Sequence, residues 1–135
     1  MSRENLEVVH RAVEALNRRD LEALAELCDE EFEFASVFTA VDAGRATYRG
    51  KYAWTTYSAR MDEAWNDWRV EDLRVFDAGD DRIAAVFLLV GEGKNSGARV
   101  KRAVGATYKL RQGKLWRMRS YLNPQEALDA VGLRE

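Results

Sequence analysis

One histidine, His10, and one cysteine, Cys28, are the only imidazole and thiol in this chain of 135 residues. Neither an internal disulfide nor a four-cysteine metal site is possible, and metal-assisted hydrolysis lacks ligands on the same count. No metal and no cofactor is expected. Cys28 closes the run Leu24-Ala25-Glu26-Leu27-Cys28, on the apolar side of a helical pattern. A free thiol there packs as a small hydrophobe. His10 follows Val9 at the edge of an apolar stripe and reads as a partly buried structural side chain. As a base it would need a carboxylate to orient it.

Arg102 is more informative. Val100, Val104, Ala106, Tyr108 and Leu110 share its side of a strand. Its guanidinium therefore either snorkels out at the sheet rim or holds a carboxylate or enolate oxygen of a ligand. Tyr57 and Tyr108 could donate hydrogen bonds to a bound carbonyl; the alternative is that they pack as core and bond to backbone. Asp62 and Glu63 fall off the apolar stripe of their helix and read as solvated. Asp80 and Asp81 are turn residues rather than a catalytic pair.

Periodicity places these side chains on elements. Leu6, Val9, Val13 and Leu16 predict a helix to about Asn17, and Asp20 caps a second running through Leu24, Leu27 and Cys28. Phe32, Phe34, Ser36 and Phe38 alternate as a strand, and Thr39 to Arg49 reads as a covering loop. A third helix is expected from Gly50 to Trp68, with Trp54, Tyr57, Met61, Ala64, Trp65 and Trp68 on one face. The period then changes to two. Strands are expected over Val70–Ala78, Arg82–Gly91, Ala98–Gln112 and Lys114–Leu122, joined by turns around Gly79-Asp80-Asp81, Glu92 to Gly97, and Gln112-Gly113. Asn123-Pro124 opens a short final helix that stops at Gly132. Consecutive hairpins with helices on one face of the sheet define an α+β domain, a single unit over residues 1–135.

The composition fits such a domain: 47% hydrophobic, 33% charged, with four tryptophans and a single proline. Acidic residues number 23 against 21 basic, so no excess positive charge recruits nucleic acid or anionic lipid. No apolar run approaches the ~20 residues of a membrane helix, and the first residues lack the apolar segment of a signal peptide. The expected location is the cytoplasm.

Several strings resemble the nuclear-transport-factor-two-like superfamily, and within it the SnoaL-like group. They are Ala15-Leu16-Asn17-Arg18-Arg19-Asp20-Leu21, Tyr48-Arg49-Gly50, and Gln112-Gly113-Lys114-Leu115 continuing through Ser120-Tyr121-Leu122-Asn123-Pro124, with Glu126-Ala127-Leu128 and Gly132-Leu133 behind. The resemblance implies a cone-shaped bent antiparallel sheet wrapped around a long helix, a cystatin-like α+β barrel with a pocket inside. It also implies a homodimer formed through the outer face of the sheet, where Val75 or Leu73, Ala103 and Gly105 could permit close packing. The superfold hosts polyketide cyclases, isomerases, epoxide hydrolases, lyases and non-catalytic modules.

The chemistries that the resemblance brings do not map onto these residues. In the ketosteroid isomerase pattern Ala12 falls at the tyrosine, Ser36 at the base and Gly105-Ala106 at the second acid. A serine hydroxyl is far too weak a base to stand in for a carboxylate. In the cyclase pattern Ser120 takes the aspartate position and Met118 the histidine position. The strands offer no inward pair of aspartates for epoxide hydrolysis, and histidine-based dehydration has only His10.

Alternation turns Val100 to Leu110 inward on the long strand, and Trp116, Met118, Ser120 and Leu122 inward on the last. The candidate ligand contacts are then Phe34 and Ser36 from the first strand, Trp54, Tyr57 and Met61 from the helix, and Arg102, Ala106, Tyr108 and Ser120 from the sheet. Three readings follow: a domain binding a small, mostly apolar molecule; a divergent isomerase, cyclase or dehydratase built on Arg102, His10 and a tyrosine; or a dimerisation module without a ligand.

Overall fold

A computed structural model describes residues 2–37 and 46–133. Helix α1 (Ser2–Arg18) packs through Val9, Ala12 and Leu16 onto the sheet. The chain then turns sharply. Arg19 takes a left-handed φ of 60°, and the Asp20 carboxylate accepts from the Ala23 amide at 3.1 Å to cap α2 (Leu21–Glu26). The Asn17 side chain locks the end of α1 to the sheet. Its Nδ2 donates to the Val70 carbonyl at 3.0 Å, and its Oδ1 accepts from the Val70 amide at 2.9 Å.

The second helix is shorter than its pattern implied. Cys28 opens β1 (Cys28–Ser36), where Cys28 stands opposite Leu115 and Phe34 opposite Met118. Long-range pairing overrides a weak local helical preference here. Part of the expected loop is also a strand, β2 (Ala46–Arg49), antiparallel to β1. Phe38 and residues 39–45 lie outside the described residues.

Helix α3 (Ala53–Ala64) starts after Gly50, whose φ is 95°, and ends before Trp65. Trp65 and Trp68 belong instead to β3 (Trp65–Gly79). The register slips between Asn66 and Arg69 and again between Glu71 and Arg74, with Asp67 and Asp72 at φ 53°. Each bulge adds a residue to one strand, so Trp65 and Trp68 face inward three positions apart. That spacing imitates a helix.

Strands β4 (Arg82–Gly93), β5 (Arg99–Arg111) and β6 (Lys114–Tyr121) follow as hairpins, close to their expected bounds. The strand order is β2-β1-β6-β5-β4-β3, and β1 runs parallel to β6, so the sheet is mixed rather than wholly antiparallel. It curls around α1 and α3 in the expected α+β arrangement. Helix α4 (Pro124–Ala130), capped by Asn123, lies on the opposite face instead of joining the others. A Cβ added to Gly105 would sit 2.7 Å from that of Ala127; the small residue accommodates the chain's own helix. Val75 and Leu73, one or other of which was expected on the outer face, both pack partly buried against the main core.

A further bulge lies in β6. Lys109 pairs with Arg117 but Leu110 with Leu115. Leu115 is therefore fully buried, and Trp116, expected inward, has the guanidinium groups of Arg111 and Arg117 over its ring at 4.6 Å and 4.2 Å. Among the described residues, no helix is long and apolar enough to cross a membrane.

Candidate functional site

Aromatic rings fill the interior of the curled sheet. Phe34 lies 4.7 Å from Trp54 and 5.0 Å from Tyr57, measured between ring centroids. Tyr57 in turn meets Trp68 edge to face at 5.9 Å. The space left among Ala12, Phe34, Trp54, Tyr57, Tyr108 and Met118 is about 30 Å³, about the volume of one water in the liquid. Burial drives the Tyr57 and Tyr108 hydroxyls above the usual phenol range, and a hydrogen bond with Ser36 offsets part of the shift at Tyr57. The Ser120 hydroxyl accepts from the Val37 amide at 2.9 Å. Both serines are fully buried, as is Ala106.

A larger space opens among α3, β3, β4 and β5. It measures about 270 Å³ and is lined by Met61, Trp65, Trp68, Leu89 and Val104, with Arg102 at its edge. Val100 and Leu122, 39% and 44% exposed, form an apolar rim. The floor depends on Gly91. A Cβ there would come 3.2 Å from that of Trp68 and 3.4 Å from the Trp65 ring, so glycine lets both indoles lie against the strand. Trp68 is held on three sides. Its Nε1 donates to Asp62 Oδ1 at 2.7 Å, the Arg19 guanidinium covers its ring at 3.8 Å, and Arg19 donates to its carbonyl at 2.7 Å. Partial burial lowers the Arg19 pKa from its ordinary value, with Asp62 opposing. Arg102 is exposed and makes neither a hydrogen bond nor an ion pair among the described residues.

The nine candidate contacts thus divide. Phe34, Trp54, Tyr57 and Tyr108 surround the small interior space, while Met61 and Arg102 line the larger one. Ser36, Ala106 and Ser120 line neither. Trp65, Leu89 and Gly91 were not singled out as contacts. A lone glycine inside an apolar strand was the signal available for Gly91, whereas the inward turn of Trp65 was hidden by the bulge. His10 is exposed on α1 and lines neither space, so it is not assembled with Arg102 and a tyrosine. Among the described residues no carboxylate lines the apolar pocket and Arg102 is the one cation there; its walls can bury a hydrophobic body.

The sequence profile of the SnoaL-like domain matches residues 9–118. No protein with a curated description matches the chain significantly. Among solved structures, a protein from a soil-derived mobile gene cassette superposes with a TM-score of 0.78 at 22% identity, covering 96% of this chain and 97% of that one. A protein from Xanthomonas campestris, proposed to be a polyketide cyclase, gives 0.74 at 21% identity over 97% and 98% of the two chains. A protein with a ketosteroid isomerase-like fold from Catenulispora acidiphila, solved in complex with trimethylamine, gives 0.74 at 17% identity over 95% and 94%. At these identities the likeness is one of fold.

Proposed function

Because this chain belongs to the SnoaL-like domain family, we propose that it binds a small, mostly apolar molecule, and that the molecule occupies the space among α3, β3, β4 and β5 rather than the packed interior. The observation that carries this reading is the pocket of about 270 Å³ walled by Met61, Trp65, Trp68, Leu89 and Val104. Its volume equals about nine waters in the liquid, which sets the ligand at the size of one or two rings. Burying such a body against indole and aliphatic surface contributes about 25 cal/mol per Å² of apolar area before the costs of association.

Binding without family-type proton transfer is part of the reading. Ala12, Ser36, Met118 and Ser120 stand where the resemblance calls for acids and bases, and none of them titrates near neutral pH. The trimethylamine complex of the Catenulispora protein and the proposed cyclase role of the Xanthomonas protein support small organic ligands within this fold.

Thermal-shift and native mass-spectrometric screening with one- and two-ring hydrophobic compounds tests the proposal. Saturable stabilisation is expected, weakened about tenfold or more, roughly 1.4 kcal/mol, by Val100→Trp, which narrows the rim. Absence of any saturable ligand, or binding indifferent to Val100→Trp, would overturn it.

A further inference from the structure

The outer face of the sheet carries a second, chemically different surface. Arg82 stands opposite Lys109 and Lys109 opposite Arg117. Arg117 stands opposite Glu33, and Glu33 opposite Arg49. One row of directly paired positions therefore crosses β4, β5, β6, β1 and β2 with four cations and one carboxylate. The next row, Thr107, Arg119, Ala35 and Thr47, adds a fifth cation and two hydroxyls. Both rows line one groove of about 570 Å³, bounded at one end by Ala130 and Val131.

Like charges placed directly opposite on neighbouring strands are destabilising, and this chain has a formal net charge of −2. The groove is thus a local reversal of the protein's overall sign. Little within it neutralises the cations. Glu33 is shared between Arg49 at 3.6 Å and Arg117 at 3.9 Å. Arg82 donates to the backbone carbonyls of Ala78 and Gly79. Lys109 has no hydrogen bond or ion pair among the described residues, and the Arg119 guanidinium lies over the Tyr121 ring at 5.9 Å. Nearby acids are engaged elsewhere: Glu31 with Arg111, Asp77 with the Gly79 amide, Asp129 with Gln125.

We infer that this groove binds a small molecule carrying two or more phosphate groups. Guanidinium forks take phosphate oxygens two at a time, with charge-assisted hydrogen bonds. Adjacent cations in the row repeat at the strand spacing of about 4.8 Å, within reach of phosphates joined through a few bonds. The Thr47 and Thr107 hydroxyls add donors. The groove holds about nineteen waters' worth of liquid volume, which suits a compact polyanion rather than a folded partner. A second copy is the poorer occupant, because two-fold pairing of this groove would set its cations against themselves.

Sodium tripolyphosphate is the probe, titrated by calorimetry and amide NMR against the full chain at low salt and at physiological salt. One saturable site is expected, weaker at the higher salt, with shifts centred on β5 and β6. The double variant Lys109→Gln, Arg119→Gln removes two exposed charges and is expected to weaken binding about tenfold or more. The variant Arg3→Gln, Arg11→Gln removes the same charge from α1 and is expected to leave it unchanged. Equal weakening by both variants would reduce the effect to general attraction and overturn the site. So would absence of saturation at millimolar probe, or citrate binding as tightly as triphosphate.

Discussion

Cys28 shows how burial settles reactivity. The side chain is 4% exposed, and desolvation pushes its thiol from 9.0 up to about 12, with Trp54 and Lys114 recovering only part of the shift. At neutral pH it is a protonated, inert hydrophobe. A thiol-specific reagent should leave it untouched in the native protein near pH 8 and modify it promptly in denaturant; prompt native modification would contradict its buried placement. The linkage sign follows from a pKa raised on folding. The stabilisation is complete below 9.0 and is lost as pH climbs toward about 12. The Tyr57 and Tyr108 hydroxyls, also raised, act in the same direction above the ordinary phenol value. Urea midpoints should therefore fall on the alkaline side, and Cys28→Ala should make that fall shallower.

The junction of α1 and α2 positions the pocket from a distance. Asn17 exchanges two hydrogen bonds with the Val70 backbone, Arg19 covers the ring of Trp68, and Asp20 caps the next helix. Three neighbouring residues thereby tie a helix end to the strand that supplies two pocket walls. The string Asn17 to Asp20, noticed for its resemblance to a family, has an architectural role. Asn17→Ala should cost roughly 1–3 kcal/mol, because it leaves a strand amide and carbonyl to find water. Asn17→Asp keeps the acceptor for the Val70 amide and should cost less. Chemical denaturation of the two variants checks this; equal stability of Asn17→Ala and the parent would remove Asn17 as the tie.

Across the whole molecule, the interior and the pocket compete for the same aromatic rings. Rings that could have lined a deep cavity pack on one another, leaving about 30 Å³, and the usable space lies outward at the rim. Removing one ring should reverse that. Phe34→Ala deletes a side chain that is 1% exposed and should destabilise by about 3–5 kcal/mol. The resulting apolar hole should accept benzene, so benzene should raise the melting temperature of the variant by more than that of the parent, which offers it the rim pocket alone. Stabilisation of both alike would mean that the native interior is open.

Much of this architecture was legible from local pattern. Alternation along β4 and β5, glycines and acids at the turns, and Asn123-Pro124 before α4 placed those elements within a few residues, because a two-residue period and a turn dihedral are local properties. The inward set Val104, Ala106, Tyr108 and Leu110 follows the same rule and is buried as expected. What local pattern could not carry was register and volume. Bulges at Asp67, Asp72 and Trp116 depend on the partner strand, and they moved Trp65 and Trp68 onto the sheet and exchanged Trp116 for Leu115. Alternation identified Phe34, Trp54, Tyr57 and Tyr108 as neighbours. Whether neighbours enclose a space or fill it is a small difference between large volumes contributed by segments far apart in the chain, and that difference exists only once the sheet has curled and the rings have packed.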